Sequence, residues 1–94
     1  MRIISRKTLR EFWEQAGRAD AEQPLKSWFK IASEADWASP AAVRKQFGHA
    51  SIVGDNRVVF NIAGNKYRIV VAVNYDYRIM YIRFVGTHKQ IRQD

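Results

Sequence analysis

The segment from Arg57 to Val85, "RVVFNIAGNKYRIVVAVNYDYRIMYIRFV", decides the fold of this chain. Valine, isoleucine, tyrosine and phenylalanine dominate its three apolar runs, and these residue types favour β-strands. The connections "AGNK" and "NYDY" contain the glycine, asparagine and aspartate that tight turns require. We therefore predict three consecutive antiparallel strands.

The positions of the two turns determine which residues lie opposite one another. We place the first turn at Gly64-Asn65 and the second at Tyr75-Asp76. The pairs expected in the first hairpin are Ile62 with Tyr67, Asn61 with Arg68 and Phe60 with Ile69. The pairs expected in the second are Arg68 with Arg83, Val70 with Tyr81 and Ile69 with Ile82. Because side chains alternate between faces, this register assigns every residue to one side of the sheet.

One face is free of charge and is predicted to be the core face. Its members are Val58, Phe60, Ile62, Tyr67, Ile69, Val71, Val73, Met80, Ile82 and Phe84. The other face is predicted to carry a polar row of Asn61, Arg68 and Arg83 across three strands, with Tyr81 diagonal to Arg68. Neighbouring arginines repel each other, so a bound phosphate would offset the cost of this arrangement.

The first half of the chain is predicted to form a short edge strand at residues 1–4 and three helices whose apolar residues recur at helical spacing. The first helix is expected to start at Ser5 or Thr8 and to end at Gly17. The second is expected to start at Asp20, with Pro24 in its first turn. The third is expected to start at Ser39, with Pro40 at its first helical position, and to end at Gly48. Helices followed by an antiparallel meander indicate the α+β class, with helices packed on one face of a mostly antiparallel twisted sheet. The length indicates a single domain over residues 1–94.

The formal net charge is +7, from 16 lysines and arginines against 9 aspartates and glutamates. The excess is concentrated from Arg57 onward, where two acids, Asp76 and Asp94, stand against seven cations. These cations are Arg57, Lys66, Arg68, Arg78, Arg83, Lys89 and Arg92. A basic half of this kind favours a polyanionic partner, which can be nucleic acid, a phosphate-rich surface or an acidic protein.

Several function classes are disfavoured by the composition. Cysteine is absent, which excludes a disulfide framework, a thiolate metal site and a cysteine nucleophile. The acids are scattered and the two histidines lie far apart in sequence, so we expect no metal and no cofactor. No apolar run approaches the roughly 20 residues of a membrane span, and the first residues do not resemble a secretion signal. We expect a soluble cytoplasmic protein.

The cationic row has a chemistry that fits RNA. The 2′-hydroxyl of RNA can attack the adjacent phosphate if an enzyme moves two protons and stabilises the charge on phosphorus. We predict Arg68, His88 and Asn61 as catalytic residues: Arg68 for the phosphate charge, His88 for proton transfer and Asn61 for orientation. The predicted RNA-binding residues are Arg83, Lys89, Lys66 and Tyr81.

Each of these residues also has an ordinary structural interpretation. His88 can be a solvated residue at a strand end, and Arg68 and Arg83 can pair with acids. Asn61 can close a turn, and tyrosines such as Tyr81 commonly pack in strands. His49 follows a helix stop, where a surface or capping role is the simplest reading.

The stretch "NRVVFNIAGNKYRIVVAV", followed by "YIRFVGTHKQ", resembles the HigB family of toxins within the RelE-like superfamily of toxin–antitoxin modules. The likeness includes the opening "RKTLREFW" and the middle segment "LKSWFKIASEADWASPAAVRKQF". It implies a small RelE-like fold and an endoribonuclease, an mRNA interferase that cuts messenger RNA without metal, often on the translating ribosome, and so inhibits translation. It also implies a cognate HigA-type antitoxin with a helix-turn-helix domain.

The resemblance extends to single positions. Arg68 in "KYRIV" is similar to the family's central catalytic arginine, and His88 and Lys89 in "THK" match its C-terminal motif. Ile91 departs from the pattern, because relatives carry a tyrosine there that often contributes to the RNA site. The alternative is therefore a cleavage-deficient relative that binds antitoxin and ribosome or RNA without cutting. A third reading is a structural subunit whose basic face serves only an acidic antitoxin.

Overall fold

The computed structural model describes residues 1–54 and 56–89 of the chain. Within these ranges it contains three α-helices, one short 3-10 turn and five strands. In chain order the elements are β1 (Arg2–Ile4), α1 (Arg6–Trp13), the 3-10 turn (Ala19–Ala21), α2 (Glu22–Glu34), α3 (Pro40–Gln46), β2 (Ser51–Val53), β3 (Arg57–Ile62), β4 (Tyr67–Asn74) and β5 (Ile79–Thr87).

The strands form a single sheet in the order β1-β5-β4-β3-β2. The predicted meander of β3, β4 and β5 is confirmed, and β2 adds a short antiparallel strand to its outer edge. The first residues form the predicted edge strand, which runs parallel to β5. The α+β class and the mostly antiparallel sheet predicted from the sequence are thus confirmed.

The helices cover one face of the sheet through aromatic contacts. Phe12 of α1 meets Tyr67 edge to face, with ring centroids 5.3 Å apart. Trp28 of α2 meets Phe60 at the same separation, and Trp37 stacks on Phe60 from the segment before α3. All five rings are at least 95% buried. Such rings remove large apolar areas from water, so this layer supplies much of the driving force for folding.

The start of α3 agrees with the sequence. Ser39 is extended at the N-cap, and its Oγ accepts a hydrogen bond from the amide of Ala42 at 3.3 Å. Pro40 occupies the first helical position, where its missing N–H costs nothing.

The other two helix starts agree with the predictions only in part: Ser5 precedes α1 and Pro24 lies in the first turn of α2, but neither helix has the predicted side-chain cap. α1 begins at Arg6 with Ser5 in a left-handed conformation (φ 76°) and without a side-chain cap, so Thr8 lies inside the helix rather than capping it. The same helix ends at Trp13, before Gly17. Asp20 lies in the 3-10 turn and not at a helix cap, and its carboxylate accepts hydrogen bonds from Lys66 and Tyr67.

The longest helix in residues 1–54 and 56–89 is α2, with 13 residues. Neither its length nor its composition would let it cross a bilayer, and the same holds for the other described helices.

Candidate nucleic-acid interface

The uncovered face of the sheet carries a short polar row at one end. Asn61 on β3 pairs with Arg68 on β4, as the turn at Gly64 predicts. On the other side of Arg68 lies Gly86 of β5. Both Asn61 and Arg68 are partly exposed. Because Gly86 has no side chain, β5 contributes no side chain directly opposite Arg68.

The predicted pairing of β4 with β5 is wrong. Arg68 does not face Arg83; the residues opposite Arg68, Ile69 and Val70 are Gly86, Val85 and Phe84. Two causes combine. The connection between the strands is longer than a two-residue turn, since Asn74 pairs with Ile79 across it, and a β-bulge shifts the register again between Val70 and Val71.

The longer connection is held by contacts that a turn motif does not reveal. Asn74 Oδ1 accepts a hydrogen bond from the amide of Tyr77 at 3.1 Å. Arg78 adopts a left-handed conformation (φ 58°), its guanidinium donates to the carbonyl of Tyr75, and its Nε donates to Asp36 at 2.7 Å.

The bulge exchanges the roles of two neighbouring residues. Phe84, predicted on the core face, is 46% exposed and pairs with Val70 on the uncovered face. Val85 is buried instead, at 8% exposure. The remaining members of the predicted core face are all buried, including Tyr67 and Met80 at 0%.

Arg83 lies at the bulge and not in the polar row. Its guanidinium sits 5.9 Å from the ring centroid of Tyr81, which pairs with Ala72. Ala72 is four residues along β4 from Arg68, about 13 Å at the rise of an extended strand. Tyr81 is therefore not diagonal to Arg68, and the predicted convergence of two arginines on one phosphate is not observed.

His88 and Lys89 form an exposed turn directly after β5. The amide of His88 donates a hydrogen bond to the carbonyl of Lys66 at 3.4 Å, and Thr87 pairs with Tyr67. This contact fixes the turn beside the start of β4, close in the chain to Arg68. The structure therefore places the backbone of His88 at the same end of the sheet as that of Arg68.

Lys66 is held by the helical layer. Its ammonium pairs with the carboxylate of Asp20, which also accepts a hydrogen bond from the hydroxyl of Tyr67. The pKa of Asp20 is lowered mainly by the hydrogen bond from Lys66 and next by the hydrogen bond from Tyr67. The hydrogen bond to Asp20 in turn raises the pKa of Lys66. This pair connects the 3-10 turn to the hairpin end of the polar row.

An open cleft at the edge of β3 adds a residue that the sequence did not select. β2 pairs with β3 only as far as Val59, so the last residues of β3 have no β2 partner. The chain before β2 leaves a cleft of about 540 Å³ there. Its lining includes His49, Phe47, Gln46 and Asn61. His49 thus lines the same cleft as Asn61 of the polar row. The sequence alone marked His49 only as a residue that follows a helix-ending glycine.

No cluster of metal-ligating side chains is found within residues 1–54 and 56–89. Ile91, which departs from the family pattern, lies outside the described residues.

A comparison with known protein families gives a match over most of the chain. Residues 21–91 match a family described as HigB toxin, the RelE-like toxic component of a toxin–antitoxin system. The matched range begins at the end of the 3-10 turn, omits α1, and includes the polar row and the turn after β5. No curated protein sequence matches the chain.

Proposed function

The chain belongs to the HigB toxin family, the RelE-like toxic component of toxin–antitoxin systems, and we propose that it is an endoribonuclease that cleaves messenger RNA on the translating ribosome. The observation that carries this proposal is the position of Arg68. It lies on the uncovered face, between Asn61 and Gly86 and next to the turn that carries His88. An arginine, an asparagine and a histidine thereby lie at one end of the sheet.

These groups match the needs of RNA cleavage by its own 2′-hydroxyl. The guanidinium of Arg68 can bind two phosphate oxygens at once and stabilise the charge that develops on phosphorus. Imidazole transfers protons efficiently near neutral pH, so His88 can serve as a general acid or base. Asn61 orients the ribose or phosphate between them. The attacking group comes from the substrate, so the step requires no metal-activated water.

His49 supplies a second imidazole for the same reaction. Cleavage requires one group that removes the 2′-hydroxyl proton and another that protonates the leaving 5′-oxygen. His88 approaches the polar row from the end of β5, whereas His49 lines the cleft that reaches Asn61 from the edge of β3. We assign the two histidines to these two proton transfers.

The rest of the uncovered face is suited to holding the strand. Phe84 is exposed two residues from Gly86, and its ring offers a surface for base stacking. Tyr81 and Arg83 lie further along β5 and can bind upstream or downstream nucleotides. Lys89 extends the positive charge beside His88, and Lys66 contributes to RNA binding only if RNA displaces Asp20.

The family implies an antitoxin partner. We propose that this antitoxin is of the HigA type, with a helix-turn-helix domain, and that the toxin acts in the cytoplasm, where its ribosome-bound substrate is found. We further propose that residues 1–94 act as one domain.

The test is a cleavage assay on translated messenger RNA, read by primer extension. Wild-type toxin is expected to give cuts at defined codon positions and products with 2′,3′-cyclic phosphate ends. Arg68→Ala should lower the cleavage rate by about 10²–10³-fold, the usual effect of removing one donor to a developing charge. Arg57→Ala is the matched control, because Arg57 is also an exposed arginine of the sheet but pairs with Ala72, well away from the polar row. Equal losses in the two variants would contradict the assignment.

The alternative is a relative that binds antitoxin and ribosome or RNA without cutting, and Ile91 in place of the family's tyrosine favours it. The same assay separates the two. If the wild-type protein associates with the ribosome or RNA but leaves the messenger RNA uncut, the binding role is established and the nuclease is excluded.

A further inference from the structure

A groove lies between α1 and α2, in the helical layer rather than on the uncovered face of the sheet. Its volume is about 210 Å³, and it is lined by Arg6, Leu9, Trp13, Leu25, Lys26, Phe29 and Lys30. Leu9 and Leu25 are fully buried at its base. Trp13 and Phe29 pack against the core but remain partly exposed. The groove therefore has an apolar floor of a size suited to one or two inserted side chains.

The rim of this groove is strongly basic. The groove and the adjoining depression on α1 are lined by five cations, namely Arg6, Lys7, Arg10, Lys26 and Lys30, and by two acids, Glu14 and Glu22. Glu22 already pairs with Lys26. Within the described part of the chain, Lys7, Arg10 and Lys30 form no ion pair. Positive charge is thus in excess around an apolar floor.

The aromatic rings in the groove are already covered by cations. The guanidinium of Arg6 lies 4.6 Å from the centroid of Phe29, and the ammonium of Lys26 lies 5.5 Å from that of Trp13. A nucleic-acid base stacks on a free ring face, so these rings are poorly placed for RNA. A carboxylate can pair with the cation heads while the rings stay covered. The geometry favours an acidic peptide over a nucleotide.

A second copy of this chain is an unsuitable occupant, because each copy carries a formal net charge of +7 and would repel the basic rim of the other.

We propose that the groove docks an acidic amphipathic segment of the antitoxin, with one apolar side chain inserted between Trp13 and Phe29 and carboxylates paired with the basic rim. This proposal rests on membership of the toxin family and is independent of RNA cleavage. The groove lies on the helical side of the sheet and Arg68 on the opposite side. Docking therefore anchors the partner without itself occupying the polar row.

The partly exposed Trp13 offers a direct readout. Trp28 and Trp37 are only 2% and 3% exposed, so Trp13 is the tryptophan that a ligand in the groove touches. Full-length toxin labelled with 5-fluorotryptophan is titrated with its unlabelled antitoxin and followed by ¹⁹F NMR, with Trp13→Phe assigning the resonance. The Trp13 signal is expected to shift at saturation while the other two stay within the linewidth. An unmoved Trp13 signal overturns the proposal, as does an equal shift with a single-stranded RNA oligonucleotide.

Charge variants test the rim. The double variant Arg10→Glu/Lys30→Glu is expected to weaken antitoxin binding at least about tenfold at low salt, and the difference from wild type should shrink as the salt concentration rises, because salt screens the charges. Arg44→Glu/Lys45→Glu is the matched control, since both residues are exposed on α3 outside the groove, and it should change the Kd less than about threefold. Equal weakening by the two pairs overturns the proposal. If the reversal variant does not fold, Arg10→Ala/Lys30→Ala is compared in its place.

Discussion

Replacing Phe60 by alanine should remove a large part of the stability of this protein. The ring is 1% exposed and touches three others, with centroids at 5.1 Å from Phe47, 5.3 Å from Trp28 and 6.0 Å from Trp37. Truncating a buried phenylalanine costs about 3–5 kcal/mol, so we expect a loss of about 4 kcal/mol. Typical stabilities per residue give a chain of this length a total of roughly 5–14 kcal/mol. The melting temperature should fall by about 16–32 °C.

The control for this prediction is Phe84→Ala. It removes the same atoms from the same residue type, but at a position that is 46% exposed. Its cost should stay below about 1 kcal/mol, because exposed side chains contribute little. Urea unfolding followed by tryptophan fluorescence measures both values. Similar losses in the two variants would show that Phe84 is in the core, and with it that the bulge between β4 and β5 is wrongly placed.

Three further outcomes follow from the same geometry. Arg83→Ala should reduce RNA cleavage less than about tenfold, against the far larger loss expected for Arg68→Ala, because Arg83 lies outside the polar row; a cleavage assay that finds equal losses contradicts this order. Asp20→Asn should remove a contribution to stability that is present between the ordinary pKa values of 3.8 for Asp20 and 10.5 for Lys66. The pKa of Asp20 is lowered and that of Lys66 is raised, so the stability difference between Asp20→Asn and wild type should shrink as the pH falls below 3.8 and again as it rises above 10.5. A stability difference that is unchanged down to pH ~2 would refute the pairing. Ser39→Ala should cost about 1 kcal/mol by removing the cap of α3, measurable by thermal unfolding, with Ser39→Asn restoring most of the loss.

The first hairpin could be predicted because its turn is local. Gly64 adopts a left-handed conformation (φ 69°) that other residues rarely tolerate, so the sequence marks the turn and thereby the pairing of Asn61 with Arg68. The second hairpin lacked such a marker. Arg78 adopts a similar conformation (φ 58°) without being glycine, and its side chain reaches Asp36, 42 residues away in the chain. A contact so distant cannot be inferred from a turn motif.

Part of the candidate site could be predicted because some of its residues stand in local sequence patterns. Arg68 and His88 were identified because an arginine inside a strand and a histidine after one are visible in the sequence. The predicted pairing of Arg68 with Arg83 was wrong because the connection between β4 and β5 is longer than predicted and because a bulge, which depends on the packing of the whole sheet, shifts the register again. His49 was not among the predicted site residues, because the cleft that it shares with Asn61 arises only where the short strand β2 ends. Residues from separate elements meet in ways that periodicity does not encode.

The bulge on β5 also changes how this strand should respond to mutation. Before it, the positions intolerant of polar substitution have even numbers, as at Met80 and Ile82. After it, the core-facing positions are odd-numbered, beginning with Val85. In a saturation mutagenesis scan of β5, the positions that do not tolerate polar residues should therefore alternate with tolerant ones, and should change from even to odd numbers near Arg83. Deleting Arg83 would remove the extra residue of the bulge, so that β5 alternates regularly from end to end while Phe84 still faces Val70 and the terminal histidine keeps its place beside β4.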